Sequence, residues 1–236
     1  MGAGSLFYIL RILDNSPQLL KPVEDSRPGF LEKFKTYRSL IYAGIAGLLF
    51  WSSFDSLLPT LPKYLEDLGA TRWQVGMVMC CFTIGLFGLR PQMGYLADLR
   101  SRKLVLTIGV SIVAVTPLLY MFVDSIGLLM VIRAFHGIAI AGFTTAYSAM
   151  VVAESPVEKR GQLVGYFSMV RPLGMSIGPA VGAFIQTEMG DRSLFFFAGG
   201  IGLLALLCVT QIYEPKRNQS TNKKDWTTLS NREHRN

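Results

Sequence analysis

The hydrophobic pattern of the chain consists of long apolar blocks, not of the short periodic alternation that soluble helices and strands show. Six such blocks occur, four without any charged residue and two interrupted by a single arginine: 39–54, 73–89, 104–123, 125–153, 162–187 and 193–213. A helix of roughly 20 residues, rising about 1.5 Å per residue, crosses a hydrocarbon core. The pattern therefore predicts an all-α membrane protein with several spans.

The apolar blocks divide the chain into three predicted regions. An amino-terminal arm covers 1–37, a six-helix transmembrane domain 38–213, and a polar linker or tail 214–236. Within the domain we expect six membrane helices, at about 39–58, 73–93, 104–123, 126–150, 163–185 and 194–213.

A glycine spacing recurs between the two halves of this domain. Gly76 and Gly85 are separated by eight residues, and so are Gly165 and Gly174, at an offset of 89. Pairing spans one to three with spans four to six predicts a 3+3 inverted repeat, an architecture of many secondary transporters.

Basic residues alternate along the predicted connections. Of 23 lysines and arginines, six lie in the arm through Arg38, four in 90–103, two at 159–160 and six after Tyr213. The intervening connections hold Lys63, Arg72 and Arg192. This positive-inside pattern predicts that both termini are cytoplasmic. We therefore expect a multi-pass protein of the plasma (inner) membrane. Its net charge of +7 is explained by basic residues that orient the chain in the lipid bilayer, so no nucleic-acid partner is expected.

Catalytic and metal-binding patterns are missing from the sequence. The three cysteines, Cys80, Cys81 and Cys208, fall inside apolar spans and have no metal-ligand spacing. There is no H-E-x-x-H, no glycine-rich phosphate loop and no nucleophile triad. We expect neither an enzyme nor a bound cofactor or metal.

The segment GYLADLRSRK, 94–103, places one aspartate and three basic residues in a short turn between spans two and three. Basic residues here anchor at headgroups, and the aspartate can cap or oppose a helix N-terminus. The segment resembles the major facilitator superfamily signature G-x-L-A-D-R-x-G-R-K, which implies a charge relay at the interface of two transporter halves. The matching residues are Gly94, Leu96, Ala97, Asp98, Arg102 and Lys103, whereas Leu99 and Ser101 depart from the signature.

Span five carries a second resemblance. Its pattern, Gly165-x8-Gly174-x3-Gly178-Pro179-x2-Gly182-Ala183, is similar to the proton-antiporter signature G-x8-G-x3-G-P-x2-G-G, with the last glycine changed. Independently of the family, glycines at every fourth position form a smooth stripe on which another helix can pack closely. The proline removes a backbone hydrogen bond and favours a bend there. Generic small-residue packing is the alternative.

Four ionisable residues are predicted within the spans. Arg133-Ala-Phe-His136-Gly resembles the R-x-x-x-G pattern of helix four in the same family, which implies a cavity arginine engaged in proton or substrate coupling. His136 is then either a titrating partner or a packing histidine. Asp55 precedes a P-x-x-P stretch, as in proton-driven efflux members; we expect it to carry the proton opposite Arg133, or only to cap its helix. Arg171, near mid-membrane, pairs with Asp55 or contacts an anionic substrate.

The resemblance covers about 38–213, the amino-terminal six-helix half of a two-half transporter. It implies proton-coupled efflux of a small organic solute or drug. It also implies a second six-helix half, which is a separate chain, a second copy or missing. Two alternatives stay open: a facilitator or symporter of the same fold, and a truncated six-span assembly partner that transports nothing.

Overall fold

The computed structural model describes residues 30–214, and within that range the ordered elements are helices. Residues 1–29 of the predicted arm and the tail from 215 onward lie outside the described residues. The helices are α1 (Phe30–Ser56), α2 (Thr60–Asp67), α3 (Arg72–Leu99), α4 (Arg102–Tyr120), α5 (Ile126–Glu154), a 3-10 turn (Val157–Lys159), α6 (Arg160–Ser168) and α7 (Val170–Thr210).

Five helical stretches of the described chain are long and apolar enough to cross a membrane. The fifth, Val157–Thr210, has 54 residues, which at about 1.5 Å per residue is far more than one crossing requires. Gly190 interrupts it with φ 82° and ψ 171°, a conformation that is essentially restricted to glycine. These observations confirm the predicted all-α membrane class.

The chain reverses direction at Gly190. Before it, α7 runs parallel to α1, since Gly174 lies against Trp51 and Gly182 lies against Ser56. The segment that follows is antiparallel to α1. There, Ser53 Oγ donates to the carbonyl of Ala198 at 2.7 Å.

A second contact along α1 agrees with that direction: Arg38 Nη2, nearer the start of the helix, donates to Gln211 Oε1 at 3.2 Å. The stretch Val157–Thr210 is therefore long enough for two crossings that meet at Gly190, which is consistent with the six spans that the sequence predicts.

Aromatic side chains fill the centre of the bundle. The ring of Phe50 stacks on that of Phe143, with centroids 3.7 Å apart, and Trp51 meets Phe143 edge-on. Between membrane helices, association depends on close van der Waals packing because lipid tails are as apolar as the side chains themselves. This cluster therefore ties α1 to α5.

The repeated glycine spacing has a partial structural counterpart. A Cβ at Gly85 would collide with the backbone of Ala134 on α5, and one at Gly174 would collide with Trp51 on α1. The other two glycines of the repeat, Gly76 and Gly165, have open space around the Cβ position. Gly85 and Gly174, which are equivalent in the predicted repeat, thus each lie where two helices approach closely: α3 and α5, and α7 and α1.

The amino end of α4 is capped from a distant part of the chain. Ser101 is the N-cap, and its Oγ accepts from the backbone N–H of Leu104 at 3.0 Å. The Glu214 carboxylate accepts from the Arg102 N–H at 2.8 Å, from the Lys103 N–H at 3.2 Å, and from the Ser101 hydroxyl. A carboxylate here satisfies otherwise unpaired N–H groups and complements the helix dipole.

The signature loop also holds the end of α7. Lys103 Nζ donates to the carbonyl of Thr210 at 2.9 Å and to that of Ile212 at 2.5 Å. A cation at a helix C-terminus complements its partial negative charge. The lysine that was expected to anchor at headgroups therefore binds α7, and the carboxylate that caps α4 comes from Glu214. Asp98 lies on the last turn of α3 and is exposed.

Replacing Glu214 with alanine is expected to destabilise the bundle by about 1–2 kcal/mol, because two backbone N–H groups and the Ser101 hydroxyl lose their acceptor. Thermal unfolding of the detergent-solubilised chain, followed by circular dichroism, measures this. Glu158→Ala, at an exposed carboxylate on the 3-10 turn, is the matched control. An unchanged midpoint for Glu214→Ala would contradict the role of this cap.

Candidate functional site

A polar cluster is buried between α4 and α5. Arg133 and His136 lie three residues apart on α5, a spacing that puts both on one helix face, and they are 1% and 0% exposed. Arg133 Nη1 lies 3.4 Å from His136 Nδ1, and the Tyr120 hydroxyl lies 3.5 Å from the same nitrogen. A guanidinium can only donate, so a hydrogen bond from Arg133 requires His136 Nδ1 as the acceptor; Nε2 is buried and has no hydrogen-bond partner among the described residues.

Aromatic rings surround the buried arginine. The Arg133 Cζ lies 5.7 Å from the ring centroid of Phe54 and 5.3 Å from that of Phe82. The Phe54 ring also packs against His136, with centroids 4.8 Å apart. A cation facing aromatic rings recovers part of the free energy that its burial costs. Sequence reasoning missed both phenylalanines; the only signal was the position of Phe54 beside Asp55.

Asp55 lies apart from that cluster. It is 3% exposed, and its Oδ2 has no hydrogen-bond partner among the described residues. Successive helical residues point about 100° apart, and it is Phe54 that packs against Arg133 and His136. Asp55 forms no ion pair within 4.0 Å among the described residues, and the cation whose charge acts on it at longer range is Arg171 of α7. The predicted pair of Asp55 with Arg133 is not formed in this conformation.

A cavity of about 430 Å³ opens between α1, α3, α5, α6 and α7. The Arg171 guanidinium lies over the Trp51 ring, with Cζ 4.7 Å from the centroid, and Arg90 of α3 contributes a second cation. Sequence reasoning counted Arg90 only among the basic residues of 90–103, although the predicted span two, 73–93, contains it. The lining residues are Trp51, Arg90, Phe143, Thr144, Tyr147, Ser148, Val151, Val152, Val164, Phe167, Ser168 and Arg171.

The span-five glycines pack directly on α1. A Cβ at Gly178 would lie 2.6 Å from the carbonyl oxygen of Ser52, and one at Gly182 would lie 2.5 Å from that of Ser56. Only a helix without side chains at these positions can approach α1 so closely. The helix continues through Pro179 to Gly190.

The structure thus distributes the predicted residues over separate places. The buried cluster contains Arg133 and His136, whereas Asp55 and Arg171 lie on the α1–α7 side. The signature loop, with Gly94, Asp98, Arg102 and Lys103, lies at the end of the bundle where α3 ends and α4 begins.

Comparisons with known proteins agree with this architecture. The family model described as Major Facilitator Superfamily matches residues 43–234. The quinolone resistance protein NorA of Staphylococcus aureus strain MRSA252 is 29% identical over 166 residues, which cover 70% of this chain and 42% of NorA. An uncharacterized MFS-type transporter of Methanocaldococcus jannaschii is 28% identical over 151 residues, 64% of this chain and 39% of that protein.

This chain therefore spans less than half the length of these curated relatives. The family match covers most of the chain, including all the glycines that pack α7 on α1 and the signature loop that joins α3 to α4. The chain belongs to the Major Facilitator Superfamily, a family of integral, multi-pass membrane transporters.

Proposed function

We propose that this chain is the amino-terminal half of a proton-coupled efflux transporter that exchanges protons for a small organic solute. The main support for the proposal is the Asp55 carboxylate. It is buried in α1, and its Oδ2 has no hydrogen-bond partner among the described residues. Such a group can bind or release a proton without breaking a hydrogen bond in this conformation. Ionisable residues inside membrane spans typically mark ion or substrate pathways.

Protonation of Asp55 would alter the contact between α1 and α7. Asp55 lies between Ser52 and Ser56, whose carbonyls meet Gly178 and Gly182 of α7. Arg171 is also on α7 and interacts electrostatically with Asp55. A proton on the carboxylate removes that attraction, so the relative free energy of two packings of α1 against α7 depends on proton binding.

A second six-helix half would complete the transport pathway. Arg90 and Arg171 line the cavity, yet both side chains are exposed in the described part of the chain. We propose that a carboxy-terminal half, as a separate chain, a second copy or a continuation of this one, covers this side. The proposed location is the plasma (inner) membrane with both termini cytoplasmic, as the alternation of basic residues favours.

The test is transport in proteoliposomes. The chain is reconstituted alone and together with the carboxy-terminal half of a family member, and movement of a fluorescent quinolone is followed after a pH gradient is imposed. We expect solute to move against the proton flux only when both halves are present. Movement that persists when a protonophore collapses the gradient would contradict coupling.

Symport by the same fold is the second candidate, and the interaction of Asp55 with Arg171 favours it. If an anionic solute binds Arg171 and Asp55 takes up a proton in the same step, the solute and the proton are bound together. Movement of solute in the same direction as protons in that assay would select symport over exchange.

A further inference from the structure

The charged side chains that line the cavity all have the same sign. Two of its lining residues, Arg90 and Arg171, are cations, and none of the described residues that line it is a carboxylate. The two arginines come from different helices, α3 and α7, and Arg171 lies over the Trp51 ring. Neither guanidinium donates a hydrogen bond to another described residue, so their N–H groups are available to a ligand.

The other residues that line the cavity are mostly apolar and can contact the apolar part of a ligand. The rings of Trp51, Phe143, Tyr147 and Phe167 line the cavity together with three valines, and hydroxyl groups of Thr144, Ser148 and Ser168 complete it. Aromatic and aliphatic walls with a few placed polar groups are typical of small-molecule sites, and a volume of about 430 Å³ fits a ligand of one or two rings.

We propose that this cavity binds a small aromatic carboxylate. Arg171 and Arg90 bind the carboxylate, because a guanidinium matches it with two parallel N–H donors. The aromatic walls hold the ring system. A cationic solute of the same shape is repelled by both arginines. The inference rests on the proposed transport function, for which it names the substrate class.

Equilibrium dialysis of the full chain in lipid nanodiscs tests this with three probes of one shape: naphthoate, naphthamide and naphthylmethylamine. We expect naphthoate to bind at least about tenfold more tightly than the neutral amide, and the amine to bind most weakly. Equal or tighter binding of the amine, or no binding of any probe, would overturn the proposal.

Variants locate the effect. Arg171→Gln and Arg90→Gln should each weaken naphthoate binding about tenfold and leave naphthamide binding unchanged, whereas Arg171→Lys should keep part of the preference. Arg72→Gln, at an exposed arginine that starts α3, is the control and should bind as the unmodified chain does. If circular dichroism shows that Arg171→Gln is unfolded, the Arg90→Gln variant, at an exposed residue, is used for the test instead. An unchanged preference in both glutamine variants would sink the proposal.

This inference and the proposed function fail in different ways. Proton-driven movement of a cationic solute by the completed transporter would support coupling and overturn the anion site. Arginine-dependent naphthoate binding without proton-driven movement would support the anion site and overturn coupled transport.

Discussion

Replacing Gly178 with leucine is expected to prevent α7 from packing on α1 and to abolish transport. A Cβ at this position lies 2.6 Å from the carbonyl oxygen of Ser52 and 3.0 Å from the backbone nitrogen of Ser56. Overpacking costs about 1–3 kcal/mol where side chains can adjust, and backbone atoms adjust less than side chains do. The midpoint of thermal unfolding in detergent and the transport activity of the completed transporter measure the loss.

Two controls separate this contact from the general effect of a larger side chain. Ala183→Leu lies on the same helix at an exposed position, and Gly165→Leu lies in the same signature where a Cβ meets open space. Both variants should unfold close to the unmodified chain. If Gly178→Leu were as stable and as active as Gly165→Leu, the match of span five to the antiporter signature would be accidental.

Asp55→Asn is expected to abolish proton-driven exchange while leaving solute binding in place. Asparagine is close in size to a protonated aspartate and cannot lose the proton, so the proposed change in α1–α7 packing cannot be cycled. Asp55→Glu restores a titratable carboxylate on a longer side chain and should retain partial activity. Solute efflux against an imposed pH gradient, with the second half present, measures coupling, and equilibrium dialysis measures binding.

The matched control for this change is Asp67→Asn, at an exposed carboxylate near the end of α2. It should leave exchange unchanged. Full pH-driven efflux by Asp55→Asn would remove Asp55 from the mechanism. The buried His136, which is held by Arg133 and Tyr120, would then be the next candidate for the proton step.

The sequence alone predicts the membrane class and the number of crossings, because both depend on local quantities. A block of roughly 20 apolar residues is long enough to span a bilayer whatever surrounds it. The family resemblance can also be recognised from the sequence alone, since each of its two signatures lies within one short segment of the chain. The reversal at Gly190 also agrees with the predicted boundary between spans five and six, although α7 extends on both sides of this residue.

Tertiary structure decided which of the similar residues share a contact. Gly165 and Gly174 look alike in the sequence, yet only Gly174 meets α1. Asp55 follows Phe54 directly, but the two side chains point to different sides of α1. Phe54 packs against Arg133, whereas the charge that acts on Asp55 is that of Arg171. The spacing of residues in the sequence predicts which of them share a face of their own helix. It does not predict which residues of a neighbouring helix pack against that face.

The same limit applies to contacts between distant parts of the chain. Glu214 looked like the first residue of a polar tail, and its carboxylate caps a helix that begins more than a hundred residues earlier. Arg90 was counted only among the basic residues of 90–103, and it lines the cavity with Arg171. The sequence determines which segments enter the membrane through their hydrophobicity. Only the packing of the segments decides which charges meet, because that depends on the rotation and depth of every helix at once.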